Sequence, residues 1–165
     1  MLASPCGPLT LVAADGVLAG LYMTDQRHRP PQESFGPPDP AEPAFRAAAD
    51  QLAAYFAGEL RTFDLELALH GTPFQQRVWQ QLRTIPYGET RSYGELAAAL
   101  GLPNAARAVG LANGRNPIGV IVPCHRVVGA DGSLTGYGGG LPRKRRLLAL
   151  EGAIGHDTAG ATPLF

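Results

Sequence analysis

Apolar residues open the chain in two short runs, Leu9-Thr10-Leu11-Val12-Ala13-Ala14 and Val17-Leu18-Ala19-Gly20-Leu21-Tyr22-Met23, joined by Asp15-Gly16. Asp-Gly between such runs predicts a β-hairpin, because a two-residue turn of the hairpin kind needs positive φ at both positions. Residues 24–43 then carry six prolines (30, 31, 37, 38, 40 and 43) among polar residues, the pattern of an exposed, mobile loop. From Phe45 to Phe56 apolar positions recur at helical spacing (Phe45, Ala48, Ala49, Leu52, Tyr55, Phe56), and Gly58 stops the run. Phe63 to Leu69 alternates with period two and predicts a half-buried strand. Residues 1–71 read as a small α/β unit with an antiparallel sheet and no evident chemistry.

After His70-Gly71 the period becomes helical. Thr72-Pro73-Phe74-Gln75 combines an N-cap, a proline at the first helical position and a Gln placed to close a capping box. The helix should run to about Thr84, burying Phe74, Val78, Trp79, Leu82 and Ile85, with Trp79 in the core. Ser92-Tyr93-Gly94-Glu95 is a second capping box, opening a helix through Leu100. Gly101-Leu102-Pro103 turns the chain into another helix from Asn104 to about Asn113. Two short helices across a glycine-containing turn fit a helix-turn-helix over 92–114. The second helix has small side chains around Arg107, which suits either a nucleic-acid groove or tight helix packing. Ile118 to Val122 reads as strand-like, Gly136-Tyr137-Gly138-Gly139-Gly140 as a flexible loop, and Pro142 to Glu151 as a last helix. The fold class expected is α+β: residues 1–71, then a mainly helical domain over 72–155 with its active segment at 116–127, then a tail at 156–165.

At 165 residues, 45% apolar and 17% charged, the chain can build a real core. No apolar run approaches the roughly 18 residues of a membrane span, and no leader pattern begins at Met1, so a cytoplasmic location is expected. Neither Cys6 nor Cys124 has a second cysteine at ligand spacing, and nothing in the pattern supports a mixed site from Cys6, His28 and His70; no metal is expected. The zero net charge hides an asymmetry. Residues 1–71 hold nine acids and four bases (net −5), residues 72–165 five acids and ten bases (net +5). The basic half contains Arg77, Arg83, Arg91, Arg107, Arg115, Arg126 and the run Arg143-Lys144-Arg145-Arg146, which suggests a polyanion partner. Cations in the first turn of the last helix oppose its dipole and should serve something other than helix stability.

The candidate chemistry centres on Pro123-Cys124-His125-Arg126-Val127, after Asn116-Pro117 and the aliphatic run. Proline fixes the backbone on one side of the cysteine, and the imidazole offers a proton acceptor on the other. A thiol needs that help, because the thiolate is the nucleophile and an unassisted cysteine is mostly protonated at neutral pH.

These residues resemble the signature of the O6-alkylguanine-DNA alkyltransferases, the methylated-DNA–protein-cysteine methyltransferases. The resemblance spans Phe74 to Glu151, through Pro86-Tyr87-Gly88-Glu89-Thr90, Ser92-Tyr93, Ala105-Ala106-Arg107-Ala108-Val109-Gly110, Tyr137-Gly138-Gly139-Gly140 and Leu147 to Glu151. Ser4-Pro5-Cys6-Gly7-Pro8-Leu9 and Leu52, Tyr55 and Phe56 have the family's look in the N-terminal half. The whole is similar to the compact, stand-alone bacterial type, nearest the actinobacterial members.

The resemblance implies an RNase H-like N-terminal unit and an irreversible, single-turnover transfer from O6-alkylguanine in duplex DNA, with O4-alkylthymine as a further substrate. It implies Cys124 as acceptor and His125 as the base that takes the thiol proton through a water. Glu151 then orients the imidazole, and Asn116 braces the turn through side-chain to backbone hydrogen bonds. No cofactor is implied. The partner is double-stranded DNA, bound in the minor groove by a monomer that clusters cooperatively, with the damaged base flipped out. Arg107 would fill the vacated stack and Tyr93 would press on a phosphate. Ala105, Ala106, Ala108 and Gly110 would line the groove, and Arg115 would lie near phosphate. The base pocket would use Tyr93, Val127, Tyr137, Gly138 and Gly139. Some members have Ser where this chain has Gly138, which removes a side-chain hydrogen bond to O6 that a backbone N–H would have to replace. Asn113-Gly114-Arg115 stands where the family usually has Arg-Gly before Asn-Pro.

Three other readings compete: an alkyltransferase-like DNA binder, a helix-turn-helix regulator, and a cysteine hydrolase or redox sensor. The first lacks an acceptor cysteine, the second has no need of Pro-Cys-His-Arg, and the third has no need of the Ala/Arg helix.

Overall fold

Asp15 and Gly16 adopt φ of 52° and 79°, and β1 (Leu9–Ala14) turns through them into antiparallel β2 (Val17–Met23). Val12 pairs with Gly20 and Ala13 with Leu18, so Ala19 is the extra residue of a bulge. The computed structural model describes residues 1–154; the tail expected at 156–165 lies outside the described residues.

β2 is the strand on which the two halves of the chain meet. Leu18 bridges Leu67 in parallel, with Ala68 N donating to Leu18 O at 2.8 Å. Leu21 bridges Ile118, with Leu21 N donating to Pro117 O at 2.9 Å. The segment leading into Cys124 therefore hangs directly on the N-terminal hairpin. The strand expected over 63–69 reduces to that single bridge at Leu67. Exposure does alternate from Phe63 to Leu67, but the Asp64 backbone is satisfied by the Gln51 amide (Nε2 to Asp64 O 2.9 Å, Asp64 N to Oε1 2.8 Å) instead of a ladder.

α1 (Pro43–Phe56) is capped by the Glu42 side chain and buries Ala48, Leu52 and Tyr55. Pro43, counted with the loop from sequence, is its first residue, where a missing N–H leaves no bond unmade. The rest of the 24–43 loop is anchored: a 3-10 turn at Gln32–Phe35 stacks Phe35 on Tyr22 at 5.4 Å, with the Arg29 guanidinium over the same ring. Both capping boxes close as the sequence predicts, Thr72 with Gln75 at α2 (Pro73–Leu82) and Ser92 with Glu95 at α3 (Tyr93–Ala99). Trp79 is buried and donates Nε1–H to Ala112 O at 2.9 Å, tying α2 to α4 (Ala106–Gly114).

β3 (Arg91–Ser92) pairs in parallel with β4 (Val127–Val128), and α5 (Leu141–Leu150) closes the described chain. One apolar cluster, from Leu9 and Leu52 through Trp79 to Val122 and Leu147, runs through both halves. Small antiparallel sheet and helices make the fold α+β. Among the described residues no helix is long and apolar enough to cross a membrane.

Candidate active site

The aliphatic run before the cysteine is not a strand. Val120 has φ of 70°, and Ile121 N donates back to Gly119 O at 2.8 Å, a γ-turn of the rare, positive-φ kind. A β-branched residue is strained there. Pro123, at φ −81° and ψ 63°, centres a second, inverse γ-turn in which Cys124 N donates to Val122 O at 2.8 Å. Asn116 clamps the pair: its Nδ2 donates to Val122 O at 2.8 Å and its Oδ1 accepts from Ile118 N at 3.0 Å. Two tight turns and a buried amide thus set the backbone of Cys124, which begins a short 3-10 helix through Arg126.

The Cys124 side chain is 7% exposed and reaches a cavity of about 140 Å³. Burial pushes its thiol up, against the lowering effects of a hydrogen bond with Asn116 and of the nearby Lys144 charge. At neutral pH the group is a thiol in need of a base.

His125 is wholly buried, with Nε2 2.8 Å from Glu151 Oε2. Glu151 also accepts from Arg126 (Nε to Oε1 2.8 Å, Nη2 to Oε2 2.9 Å) and from Tyr55 Oη at 2.5 Å. Burial pushes the Glu151 carboxyl up, but these donors together outweigh it and hold the group at about 2. An ionised carboxylate only accepts hydrogen bonds, so His125 must carry its proton on Nε2. The lone pair is then on Nδ1, which is buried and has no hydrogen-bond partner among the described residues. Burial also lowers the imidazole below its ordinary range, with Glu151 acting against it. Bidentate Arg126 already answers the carboxylate's charge, so the imidazole stays neutral and basic at Nδ1.

Arg126 is therefore not part of a basic surface, contrary to the sequence reading. It is buried, donates Nη1–H to Ile85 O at 2.6 Å, and lies over the Tyr87 ring. Lys144 is likewise withdrawn from that surface. It is fully buried, and its Nζ donates to Val127 O (2.5 Å), Thr135 O (2.7 Å) and Gly136 O (3.1 Å), while burial lowers it to about 8. Arg143 reaches back to Thr24 O at 2.7 Å. The first-turn cations of α5 hold loops together.

The cavity gathers Cys124, Asn116, Tyr93, Gly110, Tyr137, Gly138 and Gly139 from the expected set. Val127 does not line it; that side chain is buried in the core beside β3. Arg107, Ala108 and Arg115 are exposed, Ala105 and Ala106 half-buried, and none of the five lines the cavity. Tyr93 lies along α4, where a Cβ on Gly110 would meet its ring at 3.5 Å, and its hydroxyl donates to Thr135 O at 3.3 Å.

Sequence reasoning missed several groups. Tyr55 supplies a donor to Glu151, and Gln26, Arg27 and His28 line the cavity, so the N-terminal half does contribute to the site. Leu111, one turn beyond Arg107, also lines it and is 71% exposed.

Comparison with known proteins places these observations. The family model described as the 6-O-methylguanine DNA methyltransferase DNA binding domain matches residues 73–153, and the ribonuclease-like domain of the same proteins matches residues 1–69. The methylated-DNA–protein-cysteine methyltransferase of Mycobacterium tuberculosis is 64% identical over 148 residues, covering 90% of this chain and 88% of that protein. That of Methanosarcina acetivorans is 52% identical over 91% of this chain and 95% of its own. The crystal structure of Mycobacterium tuberculosis OGT in complex with DNA superposes with a TM-score of 0.86 at 63% identity, covering 91% of this chain and 90% of that one. With both halves matched in order and 64% identity to a relative over 90% of its length, this chain belongs to the methylated-DNA–protein-cysteine methyltransferase family.

Proposed function

We propose that the protein repairs DNA by moving the alkyl group of O6-alkylguanine onto Cys124 Sγ. The observation that carries this reading is the His125–Glu151 bond next in sequence to Cys124, which leaves a neutral imidazole with a basic, unpartnered Nδ1. Nδ1 takes the thiol proton, directly or across one water. Sulfur attacks the alkyl carbon, a C–S bond forms, and the C–O6 bond breaks with its electrons going to the guanine. The thiol proton ends on the released base, so no co-reactant is consumed. The thioether has no leaving group within reach of a second attack, and each molecule reacts once. O4-alkylthymine, with the same alkyl–oxygen bond beside a ring nitrogen, is a substrate of the same kind.

A base inside the duplex cannot present its alkyl carbon in line with a buried sulfur, so the nucleotide must be extruded. Exposed Arg107 on the small-residue face of α4 supports a role as the plug of the vacated stack. Ala105, Ala106 and Ala108 allow that helix close approach to a groove. Arg115 is exposed at the end of α4 and is assigned to phosphate, and Tyr93 to the mouth of the pocket. Asn116 acts as the brace of the Cys124 turn.

The test is intact mass measurement after incubation with a duplex carrying one O6-methylguanine. The expected result is a gain of one CH₂, mapped to Cys124, saturating at one per molecule and absent in Cys124→Ser. A duplex bound without any mass gain would leave a recognition protein with a silent cysteine.

A further inference from the structure

The missing side chain at position 138 leaves a place in the pocket wall, and the N-terminal half fills it. A Cβ built on Gly138 would lie 3.5 Å from Gln26 Cγ and 3.9 Å from Gln26 Nε2. Gln26 lines the same cavity as Cys124, and Arg27 N donates to Gly138 O at 2.8 Å, so the two segments are tied at this point. The orientation of the amide is fixed. Its Oε1 accepts from Met23 N at 2.8 Å, a bond that only the oxygen end can make, so the NH₂ end is the one left over. That Nε2 has no acceptor among the described residues. A half-buried amide donor, held by a backbone bond to its oxygen end, stands 3.9 Å from where a side chain at 138 would begin.

We infer that Gln26 is a base-recognition residue, its Nε2–H donating to O6 of the flipped, alkylated guanine. This rests on the transfer reading above and assigns its pocket a donor from the other half of the chain. The role is more than binding. Charge gathers on O6 as the C–O bond breaks, so a donor placed there strengthens in the transition state.

The test uses single-turnover transfer from an O6-methylguanine duplex to the full-length protein. Gln26→Ala should slow transfer roughly 10- to 100-fold, the range for loss of one donor to developing charge, with affinity for unmodified duplex unchanged. Gln26→Glu keeps the acceptor for Met23 N–H but has no donor, and should be slowed as much. Gly138 does not have positive φ, so a serine is tolerated there once the amide is shortened. Gln26→Ala/Gly138→Ser should therefore recover most of the lost rate. Wild-type transfer with an unaffected Gln26→Ala would overturn the assignment, as would loss of rate that Gly138→Ser fails to restore. No transfer by wild type would instead sink the repair reading itself.

Discussion

Tyr55 and Glu151 lie 96 residues apart in sequence and share a 2.5 Å hydrogen bond in the interior. The phenol donates to the carboxylate oxygen that also faces His125 Nε2. Burial first, then the adjacent carboxylate, raises the phenol far above its ordinary range, so it remains a donor at any working pH. Tyr55→Phe removes one donor from a buried anion without changing shape. It should destabilise the protein by about 2 kcal/mol and loosen the imidazole's orientation. Denaturant unfolding checks the first effect and single-turnover transfer the second; unchanged values in both would reduce the bond to an incidental contact.

The pH dependence follows from two depressed groups. Burial holds His125 below its ordinary value, with Glu151 acting against it, so at a given acid pH the imidazole is more often a free base than an exposed histidine is. Transfer should fall with acid at a lower pH than an ordinary imidazole base would give. Stability has the same sign but begins to fall earlier, as pH drops below the ordinary value near 6.5, because the unfolded chain takes up the proton first. Glu151 adds a later loss. Its contribution is complete above the usual carboxylate value near 4.5 and disappears as pH falls towards about 2. A rate profile and an acid-unfolding curve test these windows.

Cys124 should be a poor target for general alkylators. Its thiol is buried and pushed up, and the cavity rather than bulk solvent controls access. Iodoacetamide should label it well over tenfold more slowly than an exposed cysteine at neutral pH. Labelling of the folded protein as fast as of the denatured chain would mean that the thiolate is already formed.

Asn116→Ala removes both hydrogen bonds that clamp the turn at Val120. The loss should cost about 2 kcal/mol, because Ile118 N is left unsatisfied while Val122 O keeps only its bond from Cys124 N, and should relax the strained φ of Val120. Cys124 would then shift against the cavity, and transfer should slow beyond what the lower stability explains. Rate measured well below the unfolding temperature separates the two.

Much of this was legible in the sequence because it is local. Asp15-Gly16 and the two capping boxes each act within a few residues and folded as read. What was not legible depends on burial. Arg126 and Lys144 add to the positive count of the C-terminal half, yet one is spent on Glu151 and the other on three carbonyls. Period two from Phe63 to Leu67 reports alternating exposure, which a single bridge satisfies as well as a ladder. The aliphatic run at 118–122 has the composition of a strand, and nothing in it announces that Val120 takes positive φ. Tyr55 and Gln26 reach the site only through long-range folding, and their neighbours in sequence carry no sign of it.

The convergence on Glu151 has a consequence for timing during synthesis. The carboxylate sits at the end of α5 and gathers donors from α1 and from two successive residues beside the nucleophile. A nascent chain lacking residue 151 holds a cysteine with an undirected imidazole, and so with the reactivity of any free thiol. On the proposed chemistry each molecule can be used once. Placing a required group after both the cysteine and the histidine in chain order works as a safety catch: the imidazole is directed only once residue 151 exists and α5 has packed, and a copy without it cannot be spent on a lesion it has no means to hold.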